Sequence, residues 1–293
     1  MALTEPLSNG ISTGPMVAKL TDPLGGARLL ARTQTFRDRV QANGGSIEDG
    51  SLENLYDPIL RKVKDWGLLS ELVYFGAVSA VEVNSGSITT IFDGSGDEND
   101  AIQTTTADQP TLNKSGIGGR WTADLDGSDD WMYATFSSTA DARTFFCVAE
   151  YDSLPYNNVG LWGYQSSARD WQQFVDKNNK DLWCRFYQGD GTQKNFERSN
   201  GPALSANTTF HTVQRADGVS TSTQRQNGSQ VDSISYDGTI EDLDNLMLGN
   251  QNDSFTYSEG WDGGIPLWIS FETHLSDAQV QEIEKIYTDF YSI

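Results

Sequence analysis

From about residue 77 onward, short runs rich in Val, Ile, Thr, Phe, Tyr and Trp alternate with clusters of Gly, Asn and Asp. This punctuation belongs to an all-β domain and constrains the fold more than any other feature of the chain. Asn178-Asn179, Asp190-Gly191 and Asn227-Gly228 each lie between strand-like runs. Asn227-Gly228 is the strongest hairpin signal, because both residues take positive φ at low cost. The run from Arg143 to Asp152 (RTFFCVAEYD) has the β-branched and aromatic content of a strand buried on both faces, and Asp181–Gly189 (DLWCRFYQG) reads similarly. Roughly ten to fourteen such runs fit a two-sheet antiparallel sandwich of the jelly-roll kind.

The N-terminal quarter differs. Residues 1–22 lack a hydrophobic period and are rich in Gly, Pro, Ser and Thr, which predicts an extended arm held by a partner surface. Leu29, Leu30, Phe36 and Val40, interleaved with four arginines and followed by Asn43-Gly44-Gly45, predict a helix. A second helix is expected from about Asp49 or Ser51 to Trp66-Gly67, with Pro58 forcing a kink or two short pieces. These helices need a surface for their apolar faces, either the β-domain or a neighbouring subunit. Residues 23–76 are therefore expected to dock the chain through Leu29, Leu30, Phe36 and Val40, with the jelly roll over 77–293. At the other end, Ser276-Asp277-Ala278-Gln279 is a capping box, and Val280, Ile283, Tyr287 and Phe290 follow at helical spacing.

Charge narrows the function classes. The chain has 293 residues with 41 acidic and 20 basic side chains, a net charge of −21. Residues 1–72 hold 8 basic and 9 acidic side chains, so the excess lies almost wholly in the β part. Such a surface repels a phosphate backbone, which argues against nucleic acid as partner. The most apolar stretch, Trp66–Val83, is broken by Glu71 and Glu82, so no membrane insertion is expected. The N-terminus shows no secretory pattern, and Cys147 and Cys184 form neither a disulfide framework nor a metal-ligand spacing. Synthesis in a cytoplasm follows as the simplest expectation.

Several segments resemble one family when taken together and in order. They are Asn99-Asp100-Ala101, Ala107-Asp108-Gln109-Pro110, Gly118-Gly119, Leu125-Asp126-Gly127-Ser128-Asp129-Asp130, and Leu275-Ser276-Asp277-Ala278-Gln279-Val280. This order is similar to the concanavalin A-like (laminin G-like) jelly-roll domains of bacteriophage virion proteins, over about residues 90–293. Upstream, Phe36-Arg37-Asp38-Arg39-Val40 with Asn43-Gly44-Gly45, and Lys64-Asp65-Trp66-Gly67-Leu68-Leu69, resemble the family's N-terminal attachment region. One departure is Pro266, in Gly263-Gly264-Ile265-Pro266-Leu267-Trp268-Ile269, which cannot donate to a ladder and must sit at an edge or bulge.

The residues offer little for catalysis. Glucanases sharing this fold place two carboxylates on one strand, but Glu241-Asp242-Leu243-Asp244 and Glu282-Ile283-Glu284 match poorly, the latter because i and i+2 diverge on a helix. His211 and His274 read as structural histidines, and neither a nucleophile elbow nor a phosphate-binding loop is present. Asp124, Asp126, Ser128 and Asp130 alternate like the start of a calcium loop, making Asp124, Asp126 and Asp130 candidate ligands, and Asp93, Ser95 and Asp97 alternate likewise. Both lack the glycine and glutamate of an EF-hand, and tight turns account for the first run equally well. Calcium is the one cofactor this pattern allows. Trp162, Tyr164 and Trp171, with glutamines nearby, are candidate sugar-stacking residues, although at strand spacing most such aromatics fill the interior.

The resemblance implies a non-enzymatic virion protein on the particle surface, a head decoration or cement protein ahead of a tail fibre or receptor-binding protein recognising host glycans. A free carbohydrate-binding protein or glycan hydrolase is the rival reading. The expected partners are major capsid or tail proteins, further copies of the chain as a homo-oligomer, and a host glycan.

Overall fold

The protein is described by a computed structural model covering residues 29–153, 159–164, 171–176, 180–188, 192–196, 203–237, 239–240, 242–250 and 260–293. The expected arm (1–22), Asn178-Asn179 and Asp190-Gly191 lie outside the described residues. The elements begin with α1 (Ala31–Ala42), β1 (Ser46–Ile47), a π-helical stretch Leu52–Tyr56, α2 (Asp57–Asp65), β2 (Leu72–Asn84), β3 (Ser87–Asp93), β4 (Ala101–Ile102), β5 (Thr111–Asn113) and β6 (Thr122–Asp126). There follow β7 (Met132–Ser138), β8 (Ala142–Tyr151), β9 (Val159–Tyr164), β10 (Trp171–Val175), β11 (Leu182–Tyr187) and β12 (Gln193–Phe196). The chain closes with β13 (Thr208–Asp217), β14 (Thr221–Gln226), β15 (Ser229–Ser235), β16 (Leu243–Leu248), β17 (Asp262–Ile265), β18 (Leu267–Phe271) and α3 (Asp277–Tyr291).

All the pairings are antiparallel, and they build two layers. One runs β1–β2–β18–β8–β13–β14–β15 and the other β4–β7–β16–β9–β10–β11–β12. β3 joins the layers by pairing with both β2 and β4, and β5, β6 and β17 continue from its end. The chain is thus a mainly β antiparallel sandwich, with helices before and after the strands. Asn227 (φ 49) and Gly228 (φ 78) form the hairpin turn between β14 and β15 as their sequence predicts.

Strand periodicity explains the two cores. On β8, Phe145, Cys147, Ala149 and Tyr151 point between the layers and join Trp162, Trp171, Phe186, Leu246, Leu248 and Trp268. Phe146 and Val148 point the other way, where they meet Val213, Leu267, Ile269 and Phe271 and the apolar faces of the helices. β8 is therefore apolar on both faces because one face meets a sheet and the other a helical layer. That layer consists of α1, the π-helical stretch, α2 and α3. Pro58 falls in the first turn of α2, directly after the π-helical stretch, and the helical run continues unbroken through it. The expected second helix is therefore one run whose hydrogen bonding changes from π to α beside the proline, rather than two separate pieces.

The expected docking residues are corrected by this layer. Phe36 and Val40 are buried against the chain's own sheet, and Leu29 and Leu30 pack against the same core. Their apolar surface is consumed internally, because the apolar residues of this short helix meet the uncovered sheet face of their own chain first. Asp57 of α2 ties the entry of α1 down, accepting from Leu30 N (2.6 Å) and Thr33 Oγ1 (3.0 Å). Pro266 lies between β17 and β18, where the chain leaves its pairing with β6 and takes up β2 and β8. Its carbonyl accepts from Val78 N (2.9 Å) and Tyr291 Oη (3.3 Å), so the proline marks a change of partner strands.

Candidate carbohydrate-binding site

A groove of about 430 Å3 opens at one rim of the sandwich, lined by Ser46, Val83, Gly86, Leu112, Asn113, Lys114 and Trp121. Trp121, Ala123 and Leu125 share a strand face, and all three pack towards the inter-sheet core. Trp121 stands just before β6, at the end of the sandwich, so its indole is only partly covered. Lys114 stands just after β5. Since Asn113 pairs with Thr122, Lys114 and Trp121 face each other across the β5–β6 connection. The Lys114 ammonium lies 5.1 Å from the centroid of the Trp121 ring, within cation–π range. Val83 and Leu112 provide an apolar floor, and Leu112 N donates to Gly86 O (2.9 Å), fixing the β2–β3 turn against the groove. Asn113 is held in place, donating to Asp124 Oδ2 (3.0 Å) and accepting from Ser115 N (2.9 Å). An aromatic face, an apolar floor and a cation in one open groove suit a small polar ligand with an apolar side.

The aromatics chosen from sequence are placed elsewhere. Trp162 is fully buried and Trp171 nearly so, both inside the inter-sheet core. Trp162 Nε1 donates to Gln173 Oε1 (2.9 Å) and Trp171 Nε1 to Gln214 Oε1 (2.7 Å), so the neighbouring glutamines satisfy interior indoles and are not presented to a sugar. Neither tryptophan offers a ring face to solvent, which corrects their assignment. Tyr164 closes β9 by pairing with Trp171 and Leu246, and its side chain lies outside the described set. Trp121 and Lys114 carried no sequence signal strong enough to single them out. Position at a rim depends on where the opposing layer stops, which local pattern does not encode.

The carboxylates of the β6–β7 turn converge partly as expected. Oxygens of Asp126, Asp129 and Asp130 all lie within 4.8 Å of one another. Asp124 is not with them; it accepts from Asn113 Nδ2 and from Thr122 Oγ1 (3.0 Å). The correction exchanges Asp124 for Asp129: the turn at Gly127 (φ 75) folds Asp129 and Asp130 back onto Asp126, whereas Asp124 stands two residues, about 7 Å, further along β6 and is engaged by Asn113 and Thr122. Asp126 Oδ1 accepts from Ser128 N (2.8 Å), and Asp130 Oδ2 from Asp126 N (3.1 Å). Burial, then the Asp126 charge, push the Asp130 carboxyl up to about 7. Three oxygens at this spacing fit a hard cation such as calcium, and the same atoms already serve the turn. Asp93 of the other alternating run is spent on backbone and Ser95 contacts.

The groups weighed for catalysis are engaged structurally. Glu282 pairs with Lys62 (2.5 Å) and Glu284 with Arg225 (3.0 Å). His211 is buried, with its pKa lowered to about 4 by burial and then by Arg225, and burial lowers that of His274 as well. Glu241 and the Asp244 side chain lie outside the described residues.

No family model matches the sequence, and no curated protein matches it. Solved structures do match. The binding domain of Paraclostridial Mosquitocidal Protein 1 superposes with a TM-score of 0.55 at 14% identity, covering 76% of this chain and 53% of that one. The botulinum neurotoxin serotype D ligand-binding domain in complex with N-acetylneuraminic acid gives 0.54 at 14% identity, covering 75% and 52%. Trypanosoma rangeli sialidase in complex with sialic acid gives 0.51 at 12% identity, covering 75% of this chain and 33% of that one. The likeness is one of fold. This chain spans about half the length of the two toxin domains.

Proposed function

We propose that the chain is a non-catalytic recognition protein that binds surface glycans through the groove at Trp121. The partly exposed Trp121 indole at the rim of a β-sandwich carries this reading. Such a ring stacks on the apolar C–H face of a sugar, while polar neighbours meet its hydroxyls. The sugars bound in two of the fold relatives support the ligand class, and the engagement of the histidines and glutamates in structural contacts supports a role without catalysis. A glycan array probed with the whole chain tests it. Signal on a defined set of glycans, abolished by Trp121→Ala, is expected. No signal on any glycan would overturn the reading.

The segments Leu125–Asp130 and Leu275–Val280 favour a place for this module on a phage particle, made in the host cytoplasm. With a sugar groove on the displayed domain, a tail fibre or receptor-binding component is favoured over head decoration, since recognition is useful where particle meets host. Major capsid or tail proteins, and further copies of the chain, are the partners of this reading. Copy number per purified particle, by quantitative mass spectrometry against the major capsid protein, tests it. A few to a few dozen copies support the tail, hundreds a decoration role, and absence from particles overturns both.

A further inference from the structure

We infer that the Trp121 groove selects sugars bearing a carboxylate, with Lys114 as the anchor for that anion. The inference rests on the glycan-binding reading above and names its ligand class. In a chain with twice as many acidic as basic side chains, cations are readily paired: Arg39 binds Asp100 (2.7 Å), Arg61 binds Asp57 (2.5 Å), and Arg215 binds Asp277 (2.7 Å). Arg120, next to the groove, is spent on Glu48 (3.7 Å), the Phe290 carbonyl (3.2 Å) and the Phe290 ring. Lys114 forms no ion pair among the described residues. Its ammonium is held at the Trp121 ring on the groove wall, with hydrogen-bonding capacity left for a ligand.

The surroundings make that capacity selective. Among the described residues no acidic side chain lines the groove, and Asp124, on the opposite face of β6 from Trp121, is engaged by Asn113 and Thr122, so the ammonium is left uncompensated. More distant carboxylates are damped beyond a Debye length of about 8 Å at physiological salt. The net charge of −21 gives no long-range attraction to an anion, so discrimination is made by contact inside the groove. A carboxylated pyranose fits what the wall presents. Its C–H face lies on the indole and the apolar floor of Val83 and Leu112, and its carboxylate reaches the ammonium in a charge-assisted hydrogen bond. The groove volume is at the small end of ligand sites, consistent with one terminal sugar.

The test titrates the whole chain with the methyl glycosides of N-acetylneuraminic acid and glucuronic acid, and with the neutral methyl esters of both. Binding is read by isothermal titration calorimetry. At least one acid is expected to bind about tenfold more tightly than its own ester, a difference of ~1.4 kcal/mol. Lys114→Gln is expected to erase that preference while keeping ester binding, and Trp121→Ala to remove both. Lys114 is exposed, so its replacement leaves folding intact. Equal affinity for acid and ester, or a preference that survives Lys114→Gln, overturns the inference and leaves glycan recognition standing. Loss of signal for the acids alongside an array positive only for neutral glycans does the same. An array blank for every glycan removes both readings.

Discussion

Arg225 on β14 and Glu284 on α3 form a forked ion pair inside the protein, Nη2 to Oε2 at 3.0 Å and Nε to Oε1 at 3.3 Å. Both side chains are more than nine-tenths removed from solvent. The pair fixes the helical layer to the sheet at one register. Removing one partner strands the other charge in a low dielectric. Glu284→Gln is therefore expected to cost about 3–5 kcal/mol in denaturant unfolding. The double variant Glu284→Gln/Arg225→Met is expected to recover most of that loss. A single-variant loss below ~1 kcal/mol would show that water reaches the pair.

His211 on β13 sits beside this pair, its Nε2 3.7 Å from Glu284 Oε1. Burial, then the Arg225 charge, lower its pKa from 6.5 to about 4. The unfolded chain takes up a proton as pH falls through 6.5, while the folded chain stays neutral until about 4. The contribution of His211 is thus complete above pH 6.5 and is lost as pH falls towards 4. His211→Gln is expected to flatten the stability profile over that window by on the order of 2 kcal/mol, measured by urea midpoints at stepped pH.

Asp130 works in the opposite direction. Its pKa is raised to about 7, first by burial and then by Asp126, so its contribution is complete below the ordinary carboxylate range and is lost as pH rises through about 7. In the presence of a chelator at pH 8, Asp130→Asn is expected to raise Tm by about 2–4 °C, the effect of ~1 kcal/mol in a domain of this size. Asn keeps an acceptor for Asp126 N. If millimolar calcium raises the Tm of the wild type and not of the variant, the Asp126–Asp129–Asp130 turn holds a cation; equal shifts in both place no cation there.

Gly118 separates backbone conformation from close approach. It has φ 60, and a Cβ there would lie 1.8 Å from the Tyr291 carbonyl oxygen at the end of α3. Gly119, at φ 73, has open space around the same position. Gly119→Ala is expected to cost about 1 kcal/mol for the left-handed conformation alone. Gly118→Ala adds a clash with backbone and is expected to cost ~2 kcal/mol more, read as the difference between the two Tm values. Similar losses for both would mean that the end of α3 yields freely.

Much of the fold was legible because its signals are local. Ser276 and Gln279 form the capping box read from sequence, with Ser276 N donating to Gln279 Oε1 (2.9 Å) and Gln279 N to Ser276 Oγ (3.3 Å). The hairpin at Asn227-Gly228 is set by two residues that tolerate positive φ. The apolar run of β8 declared a strand covered on both faces without saying by what. The site was far less legible. A tryptophan at strand spacing looks the same whether the opposing layer covers it, as at Trp162, or ends short of it, as at Trp121.

The sequence by itself determined where strands and turns fall, how α3 begins, and that the β part is strongly acidic, because each depends on residues a few positions apart or on composition. Only the tertiary structure decided that Phe36 and Val40 cover the chain's own sheet, that Asp129 replaces Asp124 beside Asp126 and Asp130, and that Lys114 meets Trp121 without a carboxylate of its own. Those outcomes rest on which distant surfaces come together and where they stop. Burial and charge pairing are properties of that three-dimensional neighbourhood, and a local pattern carries no record of it.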